Sequence, residues 1–80
     1  MDETTLKKYY EAYTDAWRFF KKYSNPEDTE EFRVNMTKEA LELERKYSKE
    51  KCSALASGLL AKTMIEISKL IKENDDYGKK

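Results

Sequence analysis

From Cys52 to Ile71 apolar residues return at three- and four-residue intervals: Leu55, Leu59, Leu60, Met64, Ile65, Ile67, Leu70 and Ile71. That spacing marks a helix with a wide buried face, and every other segment has to be read as covering it. At about 100° per residue, measured from Cys52, the residues Ala56, Leu59, Leu60, Thr63, Met64, Ile67, Leu70 and Ile71 share roughly 140° of arc. Such a stripe suits contact with two neighbours. Lys62, Glu66, Lys69 and Lys72 keep the other side wet and argue against a membrane span, which needs about 20 mainly apolar residues. The first half of the segment is rich in small residues, among them Ser53, Ala54, Ser57, Gly58 and Ala61. Gly58 costs about 1 kcal/mol against Ala in a helix interior. Its simplest use is close approach by a neighbouring helix; the alternatives are a hinge or a ligand gap.

The preceding apolar stripe, Phe32, Met36, Ala40, Leu43 and Tyr47, also has helical spacing. No Pro or Gly separates it from Cys52, so one continuous helix from 26 to 73 has to be weighed. The phase opposes it, because the two stripes would point about 150° apart on an unbroken helix. A break near Tyr47-Ser48-Lys49-Glu50 restores a shared core, with Ser48 available as a cap for the third helix. Upstream, Ser24-Asn25-Pro26-Glu27-Asp28 ends one helix and begins the next. Asn25 is a cap residue, Pro26 suits the first helical position, and the acids favour the positive end of the dipole. Asp28 or Thr29 is the alternative cap.

The first helix, capped by Thr4 or Thr5, carries two apolar rows. Leu6, Tyr10, Tyr13, Trp17 and Phe20 form one, expected to face the core. Tyr9, Ala12, Ala16, Phe19 and Tyr23 form the second, beside it. The helices are thus expected at about 5–23, 26–47 and 51–73, with a polar, frayed tail over 74–80 and no internal repeat. The expected fold is all-α, an antiparallel three-helix bundle in a single domain, with short connections.

Charge and composition bound the chemistry. The chain has 80 residues, 16 basic and 16 acidic, so there is no general pull toward nucleic acid or anionic lipid. The balance is uneven: five basic against four acidic residues over 1–25, four against seven over 26–47, and seven against five over 48–80. One cysteine forms no internal disulfide, and the N-terminus lacks a signal-peptide pattern, so a cytoplasmic protein is expected. The absence of His removes the commonest general base and transition-metal ligand. Gly58 and Gly78 are the only glycines, which excludes a Gly-rich phosphate loop. Cys52 has Lys49 and Lys51 nearby, but on its apolar stripe it reads as a structural, half-buried thiol. Glu27, Asp28, Glu30 and Glu31 lack the ligand pattern of an EF-hand and read as complementing a helix dipole. No catalytic residue, metal or cofactor is expected.

The run Tyr9-Tyr10-Glu11-Ala12-Tyr13-Thr14-Asp15-Ala16-Trp17-Arg18-Phe19-Phe20-Lys21-Lys22-Tyr23 resembles the opening of short, uncharacterised helical proteins of Gram-positive bacteria and their mobile elements. The resemblance covers about the first forty residues and implies a small accessory protein. It brings no activity and no site residue with it.

The functional expectation is a non-catalytic protein–protein interaction module that self-associates as a homodimer. If the first row of each helix fills the core, Tyr9, Phe19, Tyr23, Val34 and Leu41 remain near the surface as the partner-binding set. One rival is a small nucleic-acid-associated regulator using Lys7, Lys8, Arg18, Lys21 and Lys22 beside Tyr10 and Trp17. Acids interrupt that basic side, which makes nucleic acid the weaker partner. The other rival is an inhibitor of a nucleic-acid enzyme, presenting the acidic segment 26–47 to a basic groove.

Overall fold

A computed structural model describes residues 1–78, with side chains placed through Glu73. Its elements are α1 (Glu3–Lys22), α2 (Glu30–Tyr47) and α3 (Ser53–Gly78). No strand occurs among the described residues. The helices form an up-down-up three-helix bundle. Both α1 and α2 pack chiefly on α3, and touch each other least. The long apolar segment therefore takes the central place that its two-neighbour stripe requires.

The helix ends follow side-chain capping more closely than propensity. Asp2, not Thr4 or Thr5, caps α1: its Oδ1 accepts from the Thr5 backbone N–H at 2.8 Å. Thr29 caps α2, accepting from the Phe32 N–H at 3.1 Å, so the helix starts at Glu30 and not at Pro26. The α2–α3 reversal falls where the phase change demands it. Ser48, however, ends α2 and does not start α3: its hydroxyl donates to the Arg45 carbonyl at 2.9 Å. Bonds from the Glu50 N–H to Tyr47 O and from the Ser53 N–H to Glu50 O then carry the chain round. No described residue needs a positive φ, which is how the chain turns here without glycine. The α3 backbone stays helical through Gly78, beyond the end expected at 73. Lys79 and Lys80 of the expected tail lie outside the described residues.

The core has two lobes. Phe19, Tyr23, Met36, Ala40, Leu60, Ile67 and Ile71 form one, with Phe20, Phe32, Leu43 and Met64 packed against it. Ala12, Tyr47, Cys52 and Ala56 form the other, with Tyr9 against it. The expected stripes of α2 and α3 supply their share. On α1 the expectation is inverted: the row with Phe19 and Tyr23 is inside, and the row with Tyr10 and Trp17 is outside. The two rows lie about 100° apart on the helix.

Two physical terms favour the inverted choice. Ala12 and Ala16 let α1 approach its neighbours closely, as Ala40 and Ala56 do on the facing helices. Burying the other row would bring the polar tips of Tyr10, Tyr13 and Trp17 inside, each needing a partner. Of the two tyrosines in the buried row only Tyr23 is fully inside, and Glu39 accepts its hydroxyl. Among the described residues no buried side-chain polar atom is left without a partner.

The bundle also has a hidden period. Ala12, Met36 and Leu60 are buried at twenty-four-residue spacing, and so are Tyr23, Tyr47 and Ile71. Trp17, Leu41 and Ile65 are exposed at the same spacing. The stretches Asp15-Ala16-Trp17-Arg18-Phe19-Phe20-Lys21-Lys22-Tyr23 and Glu39-Ala40-Leu41-Glu42-Leu43-Glu44-Arg45-Lys46-Tyr47 align at that spacing. The match is one of spacing and burial, since Arg18 faces Glu42 and Phe20 faces Glu44 in that alignment.

Candidate protein-docking face

The aligned stretches build two matching clasps between α1 and α2. The Tyr47 hydroxyl donates to Asp15 Oδ2 at 2.5 Å, and Lys46 Nζ reaches the same oxygen at 2.8 Å. The Tyr23 hydroxyl donates to Glu39 Oε2 at 2.5 Å, with Lys22 Nζ at 3.1 Å from that oxygen. Burial pushes the Tyr47 phenol well above its ordinary value, and the Asp15 carboxylate pushes further the same way. Tyr23 is pushed up to about 12, by burial first and Glu39 second. At Asp15 burial acts to raise the carboxyl. The hydrogen bonds from Lys46 and Tyr47 outweigh it and hold the group below its ordinary value. Each clasp joins α1 to α2 by a phenol and an ammonium group on one carboxylate oxygen.

With α1 clasped on one side, its outer side carries Leu6, Tyr10, Tyr13 and Trp17. Tyr10 is 71% exposed and Trp17 61%; Leu6 and Tyr13 are more than half exposed. Trp17 does not wave free. Its ring lies 6.2 Å from that of Phe20, which packs on the core. Leu6, Tyr9, Tyr10 and Tyr13 line an open depression along the helix with Glu3 and Lys7 at its edge. Four large apolar side chains in one row form an exposed patch of the kind that marks an interface. Tyr and Trp are also the residues most often dominant in protein contacts.

The expected partner-binding set is not brought together. Phe19 is 2% and Tyr23 6% exposed, with ring centroids 5.2 Å apart inside the core. Both are structural residues, for the reasons of packing and polar-tip satisfaction given above. Tyr9 is half-buried against Tyr47, Cys52 and Ala56. Only Val34 and Leu41 are exposed as expected, on α2, at the positions equivalent to Tyr10 and Trp17. Sequence reasoning found the true outer row but faced it inward; the alanines of the neighbouring row were the signal to the contrary.

The other candidate features have ordinary surroundings. Cys52 is buried, and its Sγ lies 3.7 Å from the Lys8 carbonyl. Lys8 is within ion-pair distance of Glu11 and Glu50, and Lys22 of Glu39, so part of the basic set of α1 is already neutralised. Asp28 pairs with Arg33. An open groove between α1 and α2 is lined by Glu27, Glu31, Glu39 and Glu42 together with Lys22 and Lys38, a mixed surface. Gly58 is exposed, and a methyl group there would meet nothing within 4 Å, so no helix of this chain approaches it closely. Among the described residues no group of three or more His, Cys, Asp or Glu is placed to hold a metal ion. No described helix is long and apolar enough to cross a membrane. Comparison with protein families, curated proteins and solved structures gives no match.

Proposed function

We propose that this chain is a non-catalytic protein-interaction module that self-associates through the outer face of α1. The observation that carries the reading is the row Leu6, Tyr10, Tyr13 and Trp17, exposed while the neighbouring row buries Ala12, Ala16, Phe19 and Tyr23. A helix needs one buried stripe to join a bundle; a second stripe of large side chains is surplus to folding and costs solubility unless it is covered. The Trp17 ring also lies beside that of Phe20, which packs on the core, so the exposed row is continuous with the bundle.

Trp17 is the only tryptophan, so its emission reports directly on the proposed face. Raising the protein from low to high micromolar concentration should shift that emission to the blue as the indole leaves water. An emission maximum that does not move over that range, with the chain folded, would contradict self-association through this face.

A further inference from the structure

The row on α1 has a symmetry of its own. Leu6, Tyr10, Tyr13 and Trp17 are separated by four, three and four residues, a pattern that reads the same in both directions. The charges beside it do not: the first turn of α1 carries Glu3 and the last turn carries Lys21 and Lys22. At 100° per residue Glu3, Lys7, Thr14 and Lys21 lie along one flank of the row, within about 40° of one another. The opposite flank is Tyr9 and Phe20, which turn into the core.

We infer that two copies of this chain pair through α1 in antiparallel fashion about a twofold axis level with Glu11 and Ala12, an inference that rests on the self-association proposed above. In this register Leu6 of one copy lies level with Trp17 of the second, and Tyr10 level with Tyr13. The large ring at each end meets the smaller side chain, and two tyrosines cross at the centre. Glu3 comes level with Phe20 and Lys21 of the second copy, at both ends of the interface, so the two charge pairs form together. Lys7 falls beside Trp17 of the second copy, where a cation suits an aromatic face. The two helix dipoles run in opposite directions, and acidic N-terminal turns meet basic C-terminal turns. A parallel pairing would instead bring Glu3 level with Glu3 and Lys21 level with Lys21, with no opposite charge at either end.

The area sets the strength. Aromatic side chains bury about 150–250 Å² each when fully covered, so the four half-exposed side chains offer on the order of 400 Å² per copy. A standard stable interface buries about 800 Å² per partner. That is about half of a standard patch, which fits a reversible dimer and not a permanent one.

The test uses the flank as a ruler. Nitroxide labels are placed singly at Lys7→Cys, Thr14→Cys and Lys21→Cys in a Cys52→Ala background, and distances between the two copies are measured by pulsed electron resonance. Antiparallel pairing separates the labelled positions along the axis by about 14, 8 and 28 Å respectively, at 1.5 Å per residue. The expected profile is therefore shortest at 14 and longest at 21. Equal distances at all three sites would mean a parallel dimer and overturn the arrangement while leaving self-association intact. Absence of any inter-copy distance at high micromolar concentration would overturn both. Should Cys52→Ala lose its helical signal, the cysteine-intact chain serves through charge exchange. Glu3→Lys and Lys21→Glu should each weaken dimerisation roughly threefold to tenfold at low salt, and the double variant should restore it. A double variant no tighter than the singles would overturn the antiparallel register.

Discussion

Tyr47, the last residue of α2, donates its hydroxyl to Asp15 in the middle of α1 at 2.5 Å, and Tyr23 repeats the relationship in reverse with Glu39 on α2. The two clasps fix the rotation of α1 about its own axis. With Asp15 held against α2, the alanine row faces inward and the Trp17 row outward, so these bonds act in the same direction as the packing at Ala12 and Ala16.

Replacing either tyrosine by phenylalanine should cost about 1.5–3 kcal/mol, the usual range for a hydrogen bond to a charged group. The pH dependence separates the partners. Both phenols titrate higher in the folded chain than in the unfolded one. Their contribution is complete below the unfolded value of about 10 and is lost as pH rises through the folded value. For Tyr23 that window closes at about 12. Asp15 titrates lower when folded, so its contribution is present above about 3.9 and is lost as pH falls through the folded value. Urea unfolding across pH should show stability falling at both extremes. Tyr23→Phe and Tyr47→Phe should flatten the alkaline fall, and Asp15→Asn the acid one.

Phe19 and Trp17 sit two residues apart and should behave oppositely. Phe19→Ala should cost about 3–5 kcal/mol, a large share of what a small domain has. Phe19→Glu should leave the chain unfolded. Trp17→Ala should lower the melting temperature little, because the indole is mostly in water. Thermal melts followed by circular dichroism check the contrast; equal losses at the two positions would contradict the inverted packing of α1.

The reading of α2 and α3 needed only their periodicity, because each offers one large apolar stripe and a mostly polar remainder, broken by Val34, Leu41 and Ile65. Met36, Ala40, Tyr47, Leu60, Ile67 and Ile71 are buried where that stripe puts them. On α1, size misled: Tyr10, Tyr13 and Trp17 are the larger set, but their polar tips and the close packing allowed by Ala12 and Ala16 decided the outcome. Capping was equally ambiguous, since Asp2 competes with Thr4 and Thr5, and Thr29 with Asn25, on propensity alone. Only the geometry of the Thr5 and Phe32 N–H groups separates them.

Gly58 gives a prediction of the opposite sign. It lies exposed within α3, and its φ is not positive. Gly58→Ala should stabilise the chain by about 0.5–1 kcal/mol through helix propensity and reduced freedom of the unfolded state. Chemical denaturation measures this; destabilisation would mean that something outside this chain presses on that face.

Cys52 is buried in the smaller lobe beside Ala12, Tyr47 and Ala56. Thiol-reactive dye should label it slowly in the native chain and fast once urea unfolds it. Rapid native labelling would mean that this lobe opens readily, and would reopen a redox reading of the thiol.

Sedimentation equilibrium of the wild-type chain beside Trp17→Glu tests the central proposal most directly. The account predicts a concentration-dependent monomer–dimer equilibrium for the wild type at micromolar concentration. It predicts a monomer of unchanged helicity for the variant. A wild type that stays monomeric at high micromolar concentration, or a Trp17→Glu variant that dimerises as strongly, would contradict it.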